Sequence, residues 1–286
     1  MNEIRYRIIN VALLLFTMFV ITDLAKRVED MFMLAPVGLI TVIVSTALLV
    51  HGLKAFRFYF ELYEKKMPFN LFLRQYCKVI PVSMIFPFKL GDFFRMYCFG
   101  HHLRDNMAGV AVVLFDRFVD TIALVTVIVA IHIFFTVEIN RILFLLCFVL
   151  CLLVAMYRVC PGMCIYWKRY LLVQEATQGK MRLLRLFSAL QQEYAEIQAV
   201  VNGKFMLTYL LSLLAWVIEI GSLFLMCHKY LSLNSIKVVQ DYITGAMKGA
   251  SSEYLLAFIC VSSVILFCIF VILKAVSLIR KGVGHE

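Results

Sequence analysis

The chain has 286 residues, of which 63% are apolar, and its mean hydropathy is +0.90. A soluble domain is roughly 45–50% apolar, so this composition excludes an ordinary soluble protein and indicates an integral membrane protein. The net charge of +10 is scattered between apolar runs. That scatter argues against nucleic-acid binding and suits contact with anionic lipid headgroups.

Six apolar runs approach the length of about 20 residues that a bilayer-crossing helix needs. They cover residues 6–24, 31–50, 107–137, 142–157, 205–228 and 254–273. The runs predict an all-α, polytopic membrane helix bundle of about six transmembrane helices, with one or two re-entrant or interfacial segments. Because most of the length lies in spans, we expect one integral membrane domain over residues 1–286. No cleavage site for a signal peptide follows the first run, so we expect an uncleaved anchor.

The distribution of positive charge predicts the orientation of these spans. With six spans and a cytoplasmic N-terminus, 21 of the 28 Lys and Arg residues fall in cytoplasmic segments and six fall outside. The positive-inside rule then places both termini in the cytoplasm. Residues 158–204 would form a cytoplasmic amphipathic loop. Within it, residues 182–187 are typical of a basic helix lying on the membrane or, equally well, of a solvated loop helix.

The segment 79–95 is apolar but is interrupted by Pro81 and Pro87. It is too short to cross a bilayer as one helix. Irregular backbone at membrane depth is tolerated only where protein covers it or where it lines a wet cavity. The pattern therefore predicts a re-entrant segment that breaks at the prolines and forms the floor of a polar cavity.

Charged residues follow this break directly. Lys89, Asp92 and Arg95 surround Gly91, where a half-helix is expected to begin. Free backbone amides at a helix start, together with nearby cations, suit an anionic group such as a phosphate. The alternative interpretation is a cationic anchor at the cytoplasmic interface.

Ionisable residues also interrupt the third apolar run. Asp116 and Asp120 share one face of a helix, and Arg117 is three residues from Asp120, close enough to pair with it. Charges within a span are costly and usually face a cavity or partner charges. The alternative is that this cluster is solvated at the cytoplasmic interface, because residues 121–137 alone are long enough to cross.

The fifth run carries Glu219, which lies roughly 22 Å along its helix at 1.5 Å per residue. Ser212, Trp216 and Ser222 fall on the same helical face and form a polar stripe with it. This stripe predicts either a functional carboxylate or a structural hydrogen bond to a neighbouring helix.

Several of these motifs resemble one family. Residues 87–97 resemble the P-x-x-x-G-[ED]-x-x-R segment of the lysylphosphatidylglycerol synthase transmembrane region family, and residues 113–120 resemble its E-R-x-x-D helix, with Asp116 in place of Glu. Residues 53–58 are similar to its arginine-bearing helix end, and residues 216–219 to its W-x-x-E span. Its late proline- and glycine-rich segment is echoed only in residues 249–253. No aminoacyl-transferase domain follows, so lysine transfer to lipid is not expected.

The resemblance implies a flippase-like domain that moves an anionic phospholipid or a polyprenyl-phosphate-linked saccharide between the leaflets of a bacterial cytoplasmic membrane. The alternative is a non-transporting membrane subunit that positions a glycosyltransferase or another envelope-biosynthesis enzyme. We expect no enzymatic activity, cofactor or metal site, because no nucleophile stands beside a base at a familiar spacing. The resemblance, together with the charge pattern at Lys89, places substrate contact at Arg57, Lys89, Gly91, Asp92, Arg95, Asp116, Arg117, Asp120, Trp216 and Glu219.

Overall fold

The computed structural model of the protein describes residues 3–86, 90–135, 141–173, 177–201, 203–228, 237–239, 241–242 and 253–283. Within these ranges the chain forms helices and turns, and no β-strand is present. The predicted all-α membrane bundle is therefore confirmed.

Nine long helices are defined within these ranges. They are α1 (Glu3–Leu34), α2 (Val37–Glu61), α3 (Phe69–Ile85), α4 (Leu90–Leu103), α5 (Asn106–Phe135), α6 (Arg141–Val173), α7 (Gln178–Val201), α8 (Phe205–Met226) and α9 (Glu253–Val283).

Five of the described helices are long and apolar enough to cross a membrane. The spans are Tyr6–Glu29, Val37–Glu61, Leu143–Val173, Phe205–Met226 and Tyr254–Ser277. They correspond to five of the six predicted runs. The remaining run, 107–137, forms the 30-residue helix α5, which carries the acidic and basic residues of the site described below. The predicted orientation depended on six spans, and it stays a prediction.

Two helix boundaries differ from the sequence prediction. The second run was expected to begin at residue 31, but residues 31–34 belong to α1, and Pro36 caps the start of α2. The expected break at Pro81 is wrong, because α3 continues through it to Ile85. One proline removes only one backbone hydrogen bond, and packing against neighbouring helices can compensate for that loss.

Helices α3 and α4 form a hairpin around the predicted break. Its connection includes residues 87–89, which lie outside the described part of the chain. The two helices touch at Gly91, where an added Cβ atom would lie 2.3 Å from the Cα atom of Ser83. Only glycine permits this distance, so the position is fixed by helix packing.

The two largest apolar clusters of the described residues lie in the interior. The first gathers Phe58, Phe72 and Phe99 from α2, α3 and α4, together with the first half of α5. The second gathers residues of α2, α5 and α8 around Ile43 and Trp216. The charged residues of α2 and α5 lie where these two clusters meet, and the fold thereby encloses them.

Helices α6 and α7 lie at the periphery. Only 6% of the most apolar stretch of α6 is buried, which is expected for a helix that faces lipid. It continues to Val173 through Pro161, so the expected polar loop over 158–204 is shorter than predicted. Helix α7 packs on α5 and α6.

Candidate functional site

A buried ionic cluster, which we define as Arg57, Glu61, Arg95, Asp116, Asp120 and Ser212, joins four helices. Arg57 of α2 is its centre and is only 3% exposed. It donates to Asp116 from Nε at 3.0 Å and also from Nη2, and its Nη1 donates to Asp120 at 2.9 Å. The same Nη1 lies 2.5 Å from the hydroxyl oxygen of Ser212 on α8. That hydroxyl in turn donates to Asp120 at 2.8 Å.

Arg95 of α4 contacts the other oxygen of the Asp116 carboxylate. Its Nη1 lies 2.8 Å from Oδ2 of Asp116, so one carboxylate bridges two guanidinium groups. The Arg95 guanidinium also stacks on Phe58, with 4.0 Å between Cζ and the ring centroid. Its Nε is buried and has no hydrogen-bond partner in the described part of the chain. Arg95 is therefore held by the Asp116 carboxylate and the ring of Phe58, and its Nε–H group donates to neither.

Glu61 is the last member of the cluster, and it forms no hydrogen bond with the other members. Its side chain is fully buried, and Oε1 lies 3.8 Å from Nε of Arg57, beyond hydrogen-bonding distance. Neither carboxyl oxygen has a hydrogen-bond partner among the described residues. The cluster thus contains two guanidinium groups and three carboxyl groups, one of which receives no hydrogen bond.

A second ion pair lies beside the cluster, at the hairpin. Arg117 of α5 donates to Oδ1 of Asp92 on α4 from Nε at 3.0 Å and from Nη2 at 2.5 Å. The Arg117 Nη2 also lies 2.9 Å from the hydroxyl oxygen of Ser83 on α3, which donates to the same Asp92 atom at 2.9 Å. Three helices are joined at this point.

A third ion pair links α2 and α8. Lys54 donates to Oε2 of Glu219 at 3.4 Å and lies 5.1 Å above the ring of Trp216. The hydroxyl of Tyr242 donates to the other oxygen of Glu219. Since Arg57 contacts Ser212 whereas Lys54 contacts Glu219, α2 and α8 run in opposite directions. The indole N–H of Trp216 is buried without a partner in the described ranges.

A small cavity borders Glu219. It has a volume of about 10 Å³, which is roughly the space that one water molecule requires. Its lining is mainly apolar and includes Ile43, Thr46, Glu219, Tyr242 and Phe258. A cavity of this size excludes a lipid headgroup, so the described residues around Glu219 form a closed arrangement.

A separate polar contact fixes α1 to the hairpin. Lys78 of α3 is buried and donates to Asn10 at 2.8 Å and to the hydroxyl of Tyr6 at 3.3 Å. His102 of α4 lies 2.9 Å from the side-chain nitrogen of Gln75. These groups lie on α1, α3 and α4 and share no residue with the buried ionic cluster.

The structure brings together most of the residues that the sequence singled out. Arg57, Arg95, Asp116 and Asp120 converge in the interior. Asp92 pairs beside them with Arg117, whose side chain is 36% exposed. The expected pairing of Arg117 with Asp120 is wrong. Arg117 pairs with Asp92 on another helix, and Asp120 accepts a hydrogen bond from Arg57. Lys89 lies outside the described residues.

Two of the predicted contact residues lie against other parts of the chain, and their contact with a substrate stays a prediction. Gly91 lies against the backbone of α3, and Trp216 lies under Lys54. Segment 249–253 lies outside the described ranges except for the first residue of α9. The sequence interpretation placed Ser212 on the polar stripe with Glu219, and the structure confirms that it faces the site. It missed four residues that the structure adds to the site: Lys54, Glu61, Ser83 and Tyr242.

The comparison with known protein families agrees with this geometry. The profile of one family, described as the lysylphosphatidylglycerol synthase TM region, matches residues 4–230. The chain belongs to this family. The matched range contains every residue of the buried ionic cluster and of the two neighbouring ion pairs except Tyr242. Neither a curated protein nor a solved structure matches the chain.

The buried ionic cluster of this member of the lysylphosphatidylglycerol synthase TM region family offers electrostatic contacts. Among the described residues, no group of three or more His, Cys, Asp or Glu side chains is placed to hold a metal ion. Guanidinium groups bind carboxylates and phosphates with the same paired geometry. Arg57 and Arg95 therefore have two kinds of partner open to them, the carboxylates they hold and an anion that replaces those carboxylates.

Proposed function

We propose that the protein moves an anionic phospholipid or a polyprenyl-phosphate-linked saccharide between the leaflets of a bacterial cytoplasmic membrane, with both of its termini in the cytoplasm. The observation that carries the proposal is the buried ionic cluster in a chain of membrane-spanning helices. No chemical transformation is included, so the protein acts as a transporter and not as an enzyme.

The energetic cost of the cluster supports this proposal. A charged side chain at the centre of a bilayer costs about 2.5–3.5 kcal/mol on insertion scales. Burying an ion pair seldom stabilises a fold more than apolar packing of the same volume. Three helices gather two arginines and three carboxyl groups in the interior, and this arrangement is better explained by a function than by stability.

An exchange of partners gives the cluster a way to bind a headgroup. In the closed arrangement Arg57 and Arg95 are both 3% exposed and both hold Asp116. A phosphate that enters between the helices competes with that carboxylate for the same donors. The headgroup then crosses in a polar path while its acyl or prenyl tails stay in lipid, which removes most of the cost of moving a bare charge.

A leaflet-sidedness assay tests this function. The purified full chain is reconstituted into vesicles that contain phosphatidylglycerol with a fluorescent headgroup-side label, and dithionite bleaches the label in the outer leaflet only. Lipid movement lets dithionite bleach label that began in the inner leaflet. We expect Arg95→Ala and Asp120→Ala to slow this bleaching by about tenfold or more, because a hydrogen bond to a charged group contributes about 1.5–3 kcal/mol.

Matched variants keep the assay interpretable. Arg27→Ala removes an exposed pair with Asp23 on α1 and should leave the rate unchanged. A labelled phosphatidylcholine in parallel vesicles tests whether a net negative headgroup is required. If Arg95→Ala and Asp120→Ala, both folded, bleach as fast as the unaltered protein, the assignment of the site fails.

A second candidate function rests on α7. Leu183, Leu186 and Leu190 lie on one helical face, and each is at least 40% exposed. Arg182 and Arg185 lie beside that face. An exposed apolar stripe with flanking cations suits docking of a membrane-bound partner, as the alternative role of positioning a glycosyltransferase requires.

Copurification from the native membrane separates the two functions. A positioning subunit predicts that a glycosyltransferase copurifies with the full chain and is lost in Leu186→Glu, while Arg95→Ala keeps it. If the protein is a transporter, Arg95→Ala should slow lipid movement and Leu186→Glu should not. A glycosyltransferase retained equally by both variants would exclude α7 as its docking surface.

A further inference from the structure

Glu61 is the carboxyl group of the buried ionic cluster that accepts no hydrogen bond from either arginine. It occupies the last position of α2, one helical turn after Arg57, and is 1% exposed. Both of its carboxyl oxygens are buried and accept no hydrogen bond from the described residues. A carboxylate in this environment is strongly disfavoured, because burial of an ionised group without hydrogen bonds costs more than its protonation.

The charge count of the cluster leads to the same conclusion. Arg57 and Arg95 supply two positive charges, and Asp116 and Asp120 balance them through the bonds described above. An ionised Glu61 would add a third negative charge in the same enclosed space. A proton on Glu61 makes the cluster neutral without moving any atom.

We propose that Glu61 is a proton-binding site, and that its proton determines which carboxyl group holds Arg57. In the described arrangement Glu61 is protonated, and Arg57 stays with Asp116 and Asp120. When the proton leaves to water, the resulting carboxylate attracts Arg57 from a distance of 3.8 Å, against 3.0 Å to Asp116. A shift of less than 1 Å in the guanidinium therefore changes its partner.

The charged and titratable groups around Glu61 belong to four helices. Arg57 lies on its own helix, Arg95 on α4, and Asp116 and Asp120 on α5. Tyr76 of α3 also borders the cluster, and its hydroxyl donates to the backbone of α2 at the carbonyl of His51. The two arginines favour ionisation of Glu61, and the two aspartates oppose it. Because the arginines already pair with the aspartates, Glu61 is the carboxyl group that takes the proton.

The consequence for transport rests on the proposed function. Release of Arg57 from Asp116 is the step that an entering phosphate also requires, so loss of the Glu61 proton and binding of the headgroup act on the same bond. The proton-binding site itself does not depend on transport, and it is tested without lipid movement.

Infrared spectroscopy of the purified full chain in detergent tests the protonation directly. A protonated carboxyl group gives a carbonyl-stretching band that shifts in D₂O, whereas an ionised carboxylate does not give this band. At neutral pH we expect the difference spectrum between the unaltered protein and Glu61→Gln to show the loss of one such band. Glu29→Gln, which alters an exposed carboxylate on α1, should show no loss. A spectrum unchanged by Glu61→Gln would overturn the proposal.

Thermal unfolding gives a second, independent readout. Glutamine resembles a neutral glutamic acid in shape and charge, and it stays neutral when the protein unfolds. As the pH rises from the acidic range to neutral, the unfolded protein releases the Glu61 proton that the folded protein keeps, so the unaltered protein should lose stability. Glu61→Gln should show no such loss and should unfold at a higher temperature than the unaltered protein at neutral pH. A variant that is unstable or unfolded at neutral pH would show that Glu61 is ionised and holds Arg57. Failure of the vesicle assay alone would leave both of these results standing.

Discussion

Arg117 on α5 donates two hydrogen bonds to the same oxygen of Asp92 on α4, through Nε at 3.0 Å and Nη2 at 2.5 Å. Ser83 on α3 contacts both side chains. The pair therefore joins the α3–α4 hairpin to the helix that carries Asp116 and Asp120. Its geometry sets the position of the hairpin relative to the buried ionic cluster.

The first prediction concerns this pair. Asp92→Ala leaves the Arg117 guanidinium without its acceptor, and we expect a loss of about 1.5–3 kcal/mol in the free energy of unfolding, as for hydrogen bonds to charged groups. Denaturant unfolding in detergent measures the loss. A double-mutant cycle with Arg117→Ala should give a coupling energy above about 0.5 kcal/mol; additive effects would contradict the pairing.

The second prediction concerns Arg57. Its replacement by alanine leaves Asp116 and Asp120 buried without their main partner, and breaking a buried pair in this way costs about 3–5 kcal/mol. We expect a large drop in the unfolding midpoint, measured by thermal unfolding in detergent. The exposed Arg27 is the control, because its pair with Asp23 is worth about 0–1 kcal/mol. Equal effects of the two substitutions would show that Arg57 is not buried in an ion pair.

The third prediction compares two helical glycines. In Gly91→Ala the new Cβ atom meets the backbone of Ser83 at 2.3 Å and forces α3 and α4 apart, which we expect to cost about 1–3 kcal/mol or more. In Gly52→Ala the Cβ atom meets nothing within 4 Å, and the change should stabilise α2 by up to about 1 kcal/mol. Thermal unfolding of both variants measures the contrast. A tolerated Gly91→Ala would contradict the close approach of the hairpin helices.

The fourth prediction concerns pH. Burial, with Glu196 and Asp105 nearby, raises the pKa of Glu193 on α7 from 4.5 to about 7. Below pH 4.5 this carboxyl group is protonated in both the folded and the unfolded protein. Between 4.5 and about 7 the folded protein keeps a proton that the unfolded protein releases, so the stability falls as the pH rises through this window. Glu193→Gln should remove that fall.

Unfolding midpoints measured across this pH range for the unaltered protein and for Glu193→Gln check the effect. Glu196→Gln is not an equivalent control, because Glu196 pairs with Lys65 at 2.5 Å. A parallel pH profile for the two proteins would show that Glu193 is ionised in the fold.

Local patterns in the sequence predicted part of this structure well. Hydropathy located five of the spans, and helical spacing placed Ser212, Trp216 and Glu219 on one buried face of α8. These features depend on residues of the same helix, whose relative positions follow from 3.6 residues per turn. The convergence of Asp92, Arg95, Asp116 and Asp120 followed from the family motifs.

The sequence did not predict which charged residues pair between helices. Arg117 is three residues from Asp120, and spacing alone favoured that pair. The choice of Asp92 instead depends on how closely α3 and α4 approach at Gly91, which brings Asp92 to the edge of α5. Glu61 and Lys54 were missed because, on a sequence, a charged residue at the end of an apolar run is typical of a membrane interface.

Helix α2 supplies Lys54, Arg57 and Glu61, which follow one another at intervals of three and four residues and therefore share one face. Through that single face α2 contacts Asp116 and Asp120 of α5 and Glu219 of α8. A rotation of α2 about its axis by one residue position, roughly 100°, separates all of these ion pairs at once. These three side chains therefore hold α2 in one rotational setting against α5 and α8.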